Sequence, residues 1–532
     1  MDTISADNKI IIIGAGLAGL SAAITLAKEG VDSVLISSHP SERAQSVMAE
    51  GGINAALNTK GEGDSPEKHF EETFKAGRFI ADEKAVREMT AAAPGVVREL
   101  ESLGVCFNRD ENGDIDLRNF GGQKYKRTAF AKSDSGKQIM TALIDEVRRL
   151  EVEGKVERLS SHDFVTLLFS DGDKQLVSSA ADNADEISDR DKRRCTGALV
   201  RNRYTGETIK LIGSAVIMAV GGLHGLFENT TGSLTDTGEA AAELFRLGVT
   251  FADLEFIQYH PTTVSSGGKR MLISEAARGE GGRLFADTGK ERIYFMEEKY
   301  PELGNLMPRD ITSREIFFMR KKYPVYLDMS HLPEEVIDKK LAGLARDCAK
   351  YLKKDIKKEP VEVAPGIHYF MGGIHTDADH ETEIKGLFAA GECCALYHGA
   401  NRLGGNSLLG AVYGGKKAAL SALRYANVKC MPDAYYEEPP VSPAGEITAV
   451  RRILSDALGV VRNGEAMRAA LQELESLSSK EADFARAFLQ CALFREESRG
   501  AHFREDFPEE RDEYRRRSIA KVVQGVSVDH PF

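Results

Sequence analysis

Four consecutive isoleucines, Ile10 to Ile13, run straight into Gly14-Ala-Gly16-Leu-Ala-Gly19, and this junction restricts the fold more than any other stretch of the chain. An apolar β-branched run predicts a buried strand, and the glycines after it predict a tight turn into a helix over Leu17–Glu29. With a second β-branched run at Ser33–Ile36, the pattern predicts a compact βαβ unit. At Gly14, Ala15, Gly16 and Gly19 the backbone can come close to a pyrophosphate, which the N–H groups and positive dipole end of the helix would hold. A dinucleotide is therefore expected here. The acidic residue that would take the ribose at the end of the second strand is missing, since Ser37 and Ser38 stand there.

The chain has 532 residues, room for about three domains. Its charge of −12, from 70 Lys+Arg against 82 Asp+Glu, argues against a nucleic-acid or anionic-membrane binder. Any anionic substrate must then meet a locally cationic site. Seven cysteines without paired short spacings form neither a disulfide framework nor a zinc site, and a reducing cytoplasm fits them best. Met1 to Lys9 lacks the charged region of a signal peptide and the twin Arg of Tat export. The apolar stretch Ile10 to Ala27 is broken by three glycines, so no direct membrane insertion is expected.

The organisation reads as α/β. Ser214–Val220 and Gly386–Ala390 are apolar runs flanked by small residues, as expected of parallel strands added to the first sheet from a distance. Leu168 to Arg194 turns polar and reads as an exposed hairpin or loop. Phe251 to about Pro365 mixes strand-like and helical segments and is the candidate for an inserted domain. Pro432 to Pro443 reads as a linker, and Glu446 to Phe494 has helical periodicity.

Further segments, in order, are Ala49-Glu-Gly-Gly-Ile-Asn-Ala-Ala56, Ile257-Gln-Tyr-His-Pro-Thr262, Ser274-Glu-Ala-Ala-Arg-Gly-Glu-Gly-Gly282 and Arg309-Asp310. His368-Tyr-Phe-Met-Gly-Gly373, His398-Gly-Ala-Asn-Arg-Leu-Gly-Gly-Asn-Ser407 and Glu497-Ser-Arg-Gly-Ala-His502 continue the series. Together they resemble the flavoprotein subunit family of succinate dehydrogenase and fumarate reductase, which also contains L-aspartate oxidase. The resemblance implies a Rossmann-like FAD-binding domain interrupted by an α+β capping domain and followed by a C-terminal helical domain. The expected divisions are 1–253 and 366–424 for the FAD-binding domain, 254–365 for the cap and 425–532 for the helical domain. It further implies FAD contacts from Gly14, Ala15, Gly16, Gly19, Ser37, Gln45, Ser46, Ala49, Glu50, Gly51 and Gly52. Glu392 would reach the ribityl hydroxyls, and Asn406, Ser407 and Leu408 the isoalloxazine.

A dicarboxylate reduced at its double bond needs two anion clamps, a hydride donor on one face and a proton source on the other. By resemblance, His368 and Arg402 grip one carboxylate, and His260 with Ser274, in place of the usual Thr, holds the second. Arg is suited to this because its planar fork donates two hydrogen bonds at once. The family's proton donor maps onto Arg309, with Glu275 and Arg278 as the relay from solvent. A guanidinium with a pKa above about 12 acts only as a transient donor, reprotonated at once. An Arg–Glu ion-pair network holding the cap is the alternative for these three, and both roles can coexist.

Two departures from the family refine the expectation. The His that links covalently to flavin in the respiratory enzymes falls on Gln45, and an amide cannot make that bond, so FAD is expected to be noncovalent. Since the covalent link raises the flavin potential, its absence should favour fumarate reduction over succinate oxidation. Phe120 stands where L-aspartate oxidases carry a Glu that meets the substrate ammonium, and Met371 follows the pattern of the fumarate and succinate enzymes. Both favour an unaminated dicarboxylate over the alternatives, L-aspartate oxidase or a reductase of another unsaturated carboxylate. Cys393 and Cys394 read as small buried residues rather than a redox pair. No metal site is expected, and no cysteine cluster suits an iron–sulfur centre, so electrons should enter from a separate iron–sulfur subunit or a soluble donor. The basic stretches Lys339–Lys358 and Arg511–Arg517 read as solvated helix faces.

Overall fold

The computed structural model describes residues 2–5, 9–132, 134–171, 193–426 and 434–522. At its centre is a five-stranded parallel sheet in the order Leu387–Ala389, Ala215–Met218, Ile10–Ile13, Ser33–Ser37, Val156–Ser160. A strand covered on both faces must be apolar at every position, and all the isoleucines of Ile10–Ile13 are buried in the middle of this sheet. The two distant apolar runs do join it as parallel neighbours. The helix Leu17–Lys28 lies along the long helix Asn406–Ala426. Their close approach depends on Gly415, where a Cβ would stand 2.1 Å from the Ala18 carbonyl oxygen. A second sheet, in the order Asp2–Ser5, Thr208–Ile212, Arg193–Asn202, His162–Asp171, packs against Ala215–Met218 and Ser33–Ser37.

Most of the expected exposed loop, residues 172–192, lies outside the described residues. Its described beginning is corrected: Leu168, Phe169 and Ser170 are buried in the strand His162–Asp171, which pairs with Arg193–Asn202. The reason is local packing, because the Arg193 guanidinium sits 4.5 Å from the centre of the Phe169 ring and the Tyr435 ring lies 6.3 Å away. Tyr435 belongs to the expected linker, of which residues up to 433 are outside the described ones. It is pinned to Phe169 by two backbone hydrogen bonds of 2.8 Å.

Apolar side chains from Ile273 to Val363 form a hydrophobic cluster separate from the main core. The chain enters and leaves this region along Ile257–Ser266 and Ala364–Phe370, which pair antiparallel with His260 opposite Gly366. Register irregularities flank His260, between Gln258 and Tyr259 and between His260 and Thr263. Such bulges bend a strand and re-aim its side chains, commonly beside functional sites.

Helices Ala444–Ala457, Gly464–Leu474 and Lys480–Phe494 follow, the last two capped by Asn463 and Ser479. Beyond them the chain turns back, and Arg495 donates 2.6 Å and 3.0 Å hydrogen bonds to Glu255 and Glu497 in the interior. Ile519–Ala520 then pairs with Phe251–Ala252. The run Arg511–Arg517 is therefore not a helix face: it holds only a short 3-10 turn, and Arg517 is paired with Asp253 at 2.8 Å. Lys339, Lys354, Lys357 and Lys358 each pair with a nearby carboxylate. Among the described residues no helix is long and apolar enough to cross a membrane.

Candidate active site

Behind the central strand the backbone is packed to its limit. At Gly14, with φ of +112°, a Cβ would stand 2.1 Å from the Ala219 carbonyl oxygen, and at Gly19 a Cβ would stand 1.8 Å from that of Gly14. The turn is thus open only to glycine, and it leaves the N-terminus of Leu17–Lys28 facing a cavity of about 940 Å³. Gly14, Ala15, Gly16 and Ser37 line one end of the cavity. The loop carrying Gln45, Ser46, Ala49, Glu50, Gly51 and Gly52 lines its flank, and Ser407 and Leu408 come from the first turn of Asn406–Ala426. Arg118 pins this loop by donating to the Glu50 and Gly51 carbonyls at 3.0 Å each. Glu392, placed by Gly391 at φ of +81°, accepts the Phe370 N–H at 3.1 Å.

The far end of the same cavity is cationic. His260, His368, Arg309 and Arg402 line it, together with Phe120, Ser274 and Glu275. The two paired strands bring the rings of His260 and His368 to 5.1 Å between centres. Arg309 opens the helix Arg309–Arg320 and donates to Glu275 Oε2 from Nε at 3.0 Å and from Nη2 at 2.6 Å. Its Nη1 donates to Gln258 Oε1 at 2.9 Å. Gln258 in turn donates to the Arg402 carbonyl at 2.9 Å, which ties the two arginines to one side chain. Arg278 reaches Glu275 Oε1 at 3.3 Å, and the Gly121 N–H donates to the same oxygen at 3.1 Å. Arg402 lies over the Tyr369 ring at 4.3 Å with its buried Nε lacking a hydrogen-bond partner.

The electrostatics follow from this packing. Burial opposes ionisation of Glu275, but Arg309 and Arg278 outweigh it and hold the carboxyl below its ordinary value. Burial, with Arg309 and Arg278 beside it, drives His260 well below the imidazole range, and burial with His260 and Arg309 does the same to His368. Both rings are neutral near pH 7 and offer a single N–H each. Burial and Asp347 push Glu50 up to about 8, against the opposing pull of Ser274 and Arg118.

Residues 9–408 match the FAD binding domain family, and residues 480–529 match the fumarate reductase flavoprotein C-terminal family. The succinate dehydrogenase flavoprotein subunit of Bacillus subtilis is 37% identical, over 97% of this chain and 94% of its own. The chain belongs to the succinate dehydrogenase and fumarate reductase flavoprotein family. One subunit of the fumarate reductase (CoM/CoB) of Methanothermobacter marburgensis is 32% identical, over 95% of this chain and 96% of its own. A variant of the flavoprotein FrdA from E. coli quinol fumarate reductase superimposes with a TM-score of 0.86 at 27% identity, covering 100% of this chain and 97% of FrdA. The fold is that of these FAD-dependent oxidoreductases.

The residues present fit FAD. The turn Gly14-Ala15-Gly16 presents bare backbone to the cavity, and Gly52, with φ of +124°, lets the flank loop pack against Ala129, whose carbonyl oxygen would lie 2.4 Å from an added Cβ. Three expected residues stand outside the cavity lining. Gly19 serves packing beneath the turn. Arg278 sits behind Glu275, donating to the Asn305 carbonyl at 2.7 Å. Asn406 faces away: its Nδ2 donates to Thr73, and its Oδ1 contacts Asn54 Nδ2 at 2.7 Å and His69 Nε2 at 3.0 Å. Asp236, which sequence reasoning did not single out, lines the cavity and is pushed up to about 7 by burial. Gln258 lies within the motif Ile257–Thr262, but nothing in that motif gives it a role.

Proposed function

We propose that this protein interconverts fumarate and succinate, with a bias towards fumarate reduction. The observation that carries the reading is the convergence of His260, His368, Arg309 and Arg402 at one end of a cavity whose other end is the dinucleotide cradle. FAD held there would supply the hydride chemistry. Arg402, with an unpartnered Nε, and the neutral His368 grip one carboxylate, and His260 with Ser274 holds the other. Arg309, clamped by Glu275 and Gln258, is fixed in place to deliver a proton to the substrate carbon. Glu275, held ionised at rest by two guanidiniums, would take a proton from the solvent side and hand it to Arg309, returning to the carboxylate. Arg278, behind Glu275, is itself buried at 2% exposure.

FAD is bound noncovalently in this reading, because Gln45, which the family resemblance aligns with the linking histidine, lines the cavity and an amide cannot make that bond. Phe120 supports an unaminated substrate: its ring lies so close to Gly51 that a Cβ there would meet it at 2.9 Å, and it offers an ammonium no carboxylate. The separate cluster from Ile273 to Val363 supports a cap over 254–365 inserted between FAD-binding segments 1–253 and 366–424, with 425–532 as the helical domain. Electrons would come from an iron–sulfur subunit or a soluble donor in the cytoplasm.

The test is anaerobic turnover of the purified protein with reduced viologen against fumarate, with L-aspartate plus oxygen in parallel and acid release of the flavin beforehand. Fumarate consumption with free flavin is the expected result. Peroxide from aspartate with fumarate inert would transfer the protein to the aspartate oxidases.

A further inference from the structure

Two successive threonines each meet a histidine at its Nδ1, His224 buried and His368 half-buried. Thr230 Oγ1 lies 2.6 Å from Nδ1 of His224, and Thr231 Oγ1 lies 2.9 Å from Nδ1 of His368. Each hydroxyl has one proton to give. The competing acceptor is the Ile367 carbonyl oxygen, 3.3 Å from both hydroxyls and already taken by the Thr231 backbone N–H at 2.8 Å. Thr230 Oγ1 also receives the Gly232 N–H at 3.0 Å, which occupies one of its two lone pairs. In both pairs the shorter contact is to the ring nitrogen. An Nδ1 that accepts a hydrogen bond carries no proton, so a neutral ring must carry it on Nε2.

The Nε2 of His224 is buried without a hydrogen-bond partner among the described residues and lies 3.5 Å from Glu392 Oε1. The His368 ring is neutral for the reasons already given and lines the cationic end of the cavity. Thr230 also bridges to Ile367 in the strand Ala364–Phe370, so the threonine loop is tied to the residue next to His368. At Gly232 a Cβ would come within 2.1 Å of the His224 ring, so the loop is closed tightly around that histidine.

We propose that Thr231 is a positioning residue that fixes His368 in its Nε2–H tautomer, so that the ring donates to a substrate carboxylate, with Thr230 acting likewise on His224 towards Glu392. The role of Thr231 rests on the dicarboxylate reading above. In the opposite tautomer His368 would aim a bare lone pair at the carboxylate, turning a clamp into a repulsion.

Thr231→Val keeps the branching and volume but removes the hydroxyl. In the FAD-loaded protein the dissociation constant for malonate, a dicarboxylate that cannot turn over, is read from the perturbation of flavin absorption. It should rise about tenfold, the size of one hydrogen bond to a charged group. The KM for fumarate should rise with it while kcat changes less, because the contact exists in both ground and transition states. Thr231→Ser should restore the wild-type constant. In a His368→Ala background, Thr231→Val should add nothing further. If Thr231→Val does not retain flavin, Thr231→Ala is read in its place. Wild-type malonate affinity in the flavin-loaded variant, or an equal loss in the His368→Ala background, overturns the proposal alone. A wild-type protein that neither binds malonate nor reduces fumarate overturns the dicarboxylate reading, and the role of Thr231 with it.

Discussion

Glu50→Gln should flatten the pH dependence of stability between about pH 6 and about pH 9. The Glu50 Oε2 atom is buried without a hydrogen-bond partner, and the carboxyl is pushed from 4.5 up to about 8, first by burial and then by Asp347. A raised carboxyl pKa means that the folded protein keeps a proton the unfolded chain has released, so stability falls as pH rises from 4.5 and stops falling above about 8. At ~1.36 kcal/mol per pH unit the full penalty is roughly 5 kcal/mol. Roughly 2.5 kcal/mol of it develops between about pH 6 and about pH 9. Glutamine resembles the protonated carboxyl in shape and cannot ionise, so the variant should match wild type near pH 6 and exceed it at the upper end. Urea unfolding of the FAD-loaded proteins at the two pH values measures this, and because every other titrating group is shared, the difference between the two proteins isolates Glu50. Parallel curves, with the same loss of stability in both, would refute the assignment of a buried, high-pKa carboxyl.

Glu275→Gln should lower fumarate turnover by about 10²- to 10⁴-fold with flavin content retained, because Arg309 loses both its clamp and the carboxylate proposed to relay its proton; steady-state kinetics on protein of known flavin content checks this. Gly19→Ala should abolish flavin binding or folding, since the new Cβ would stand 1.8 Å from the Gly14 carbonyl, a backbone atom that cannot move aside; the visible spectrum of the purified variant decides it. Iodoacetamide at about pH 8 should label Cys106, which is exposed, and leave Cys393 and Cys394 unmodified. Burial pushes those two thiols up to about 12 and about 11, so neither offers a thiolate there, and peptide mass mapping reads the result.

The strand–turn–helix at Ile10–Gly19 was legible because its constraint is steric and local: no side chain fits at Gly14 or Gly19. The distant strands Ala215–Met218 and Leu387–Ala389 were legible because a strand buried on both faces is apolar throughout. Asn406 was not, since a motif gives a residue's neighbours but not the direction of its side chain, and a helix start points successive residues different ways. Leu168 and Phe169 were misread because the polar sequence after them masked a partner, Tyr435, that comes from far along the chain. Asp236 carried no pattern at all. Its place at the cavity follows from a loop whose course only the packed structure fixes.

The division of labour within the site follows from where its residues are rooted. Glu275, Arg278 and Arg309 sit on helices whose apolar residues, Ala276, Ala277 and Ile316, belong to the second hydrophobic cluster. His368 and Arg402 belong to segments whose neighbours, Ile367, Phe370 and Tyr397, pack into the main core with the dinucleotide cradle. The proposed proton donor and one proposed carboxylate clamp are therefore anchored to different bodies of packed side chains. Gln258 is the direct tie, with one end on Arg309 and the other on the Arg402 carbonyl. Arg78 adds a second from outside, reaching Asp310 at 3.1 Å, while Asn401 donates to the same carboxylate at 3.3 Å. A substrate bridging the two clusters would add further charge-assisted bonds across the seam, beside the one Arg309 donates to Gln258 and the one Glu275 accepts from the Gly121 N–H. On the proposed reading the dicarboxylate would itself help to assemble the site, so uncharged analogues should lose turnover out of proportion to their loss of affinity.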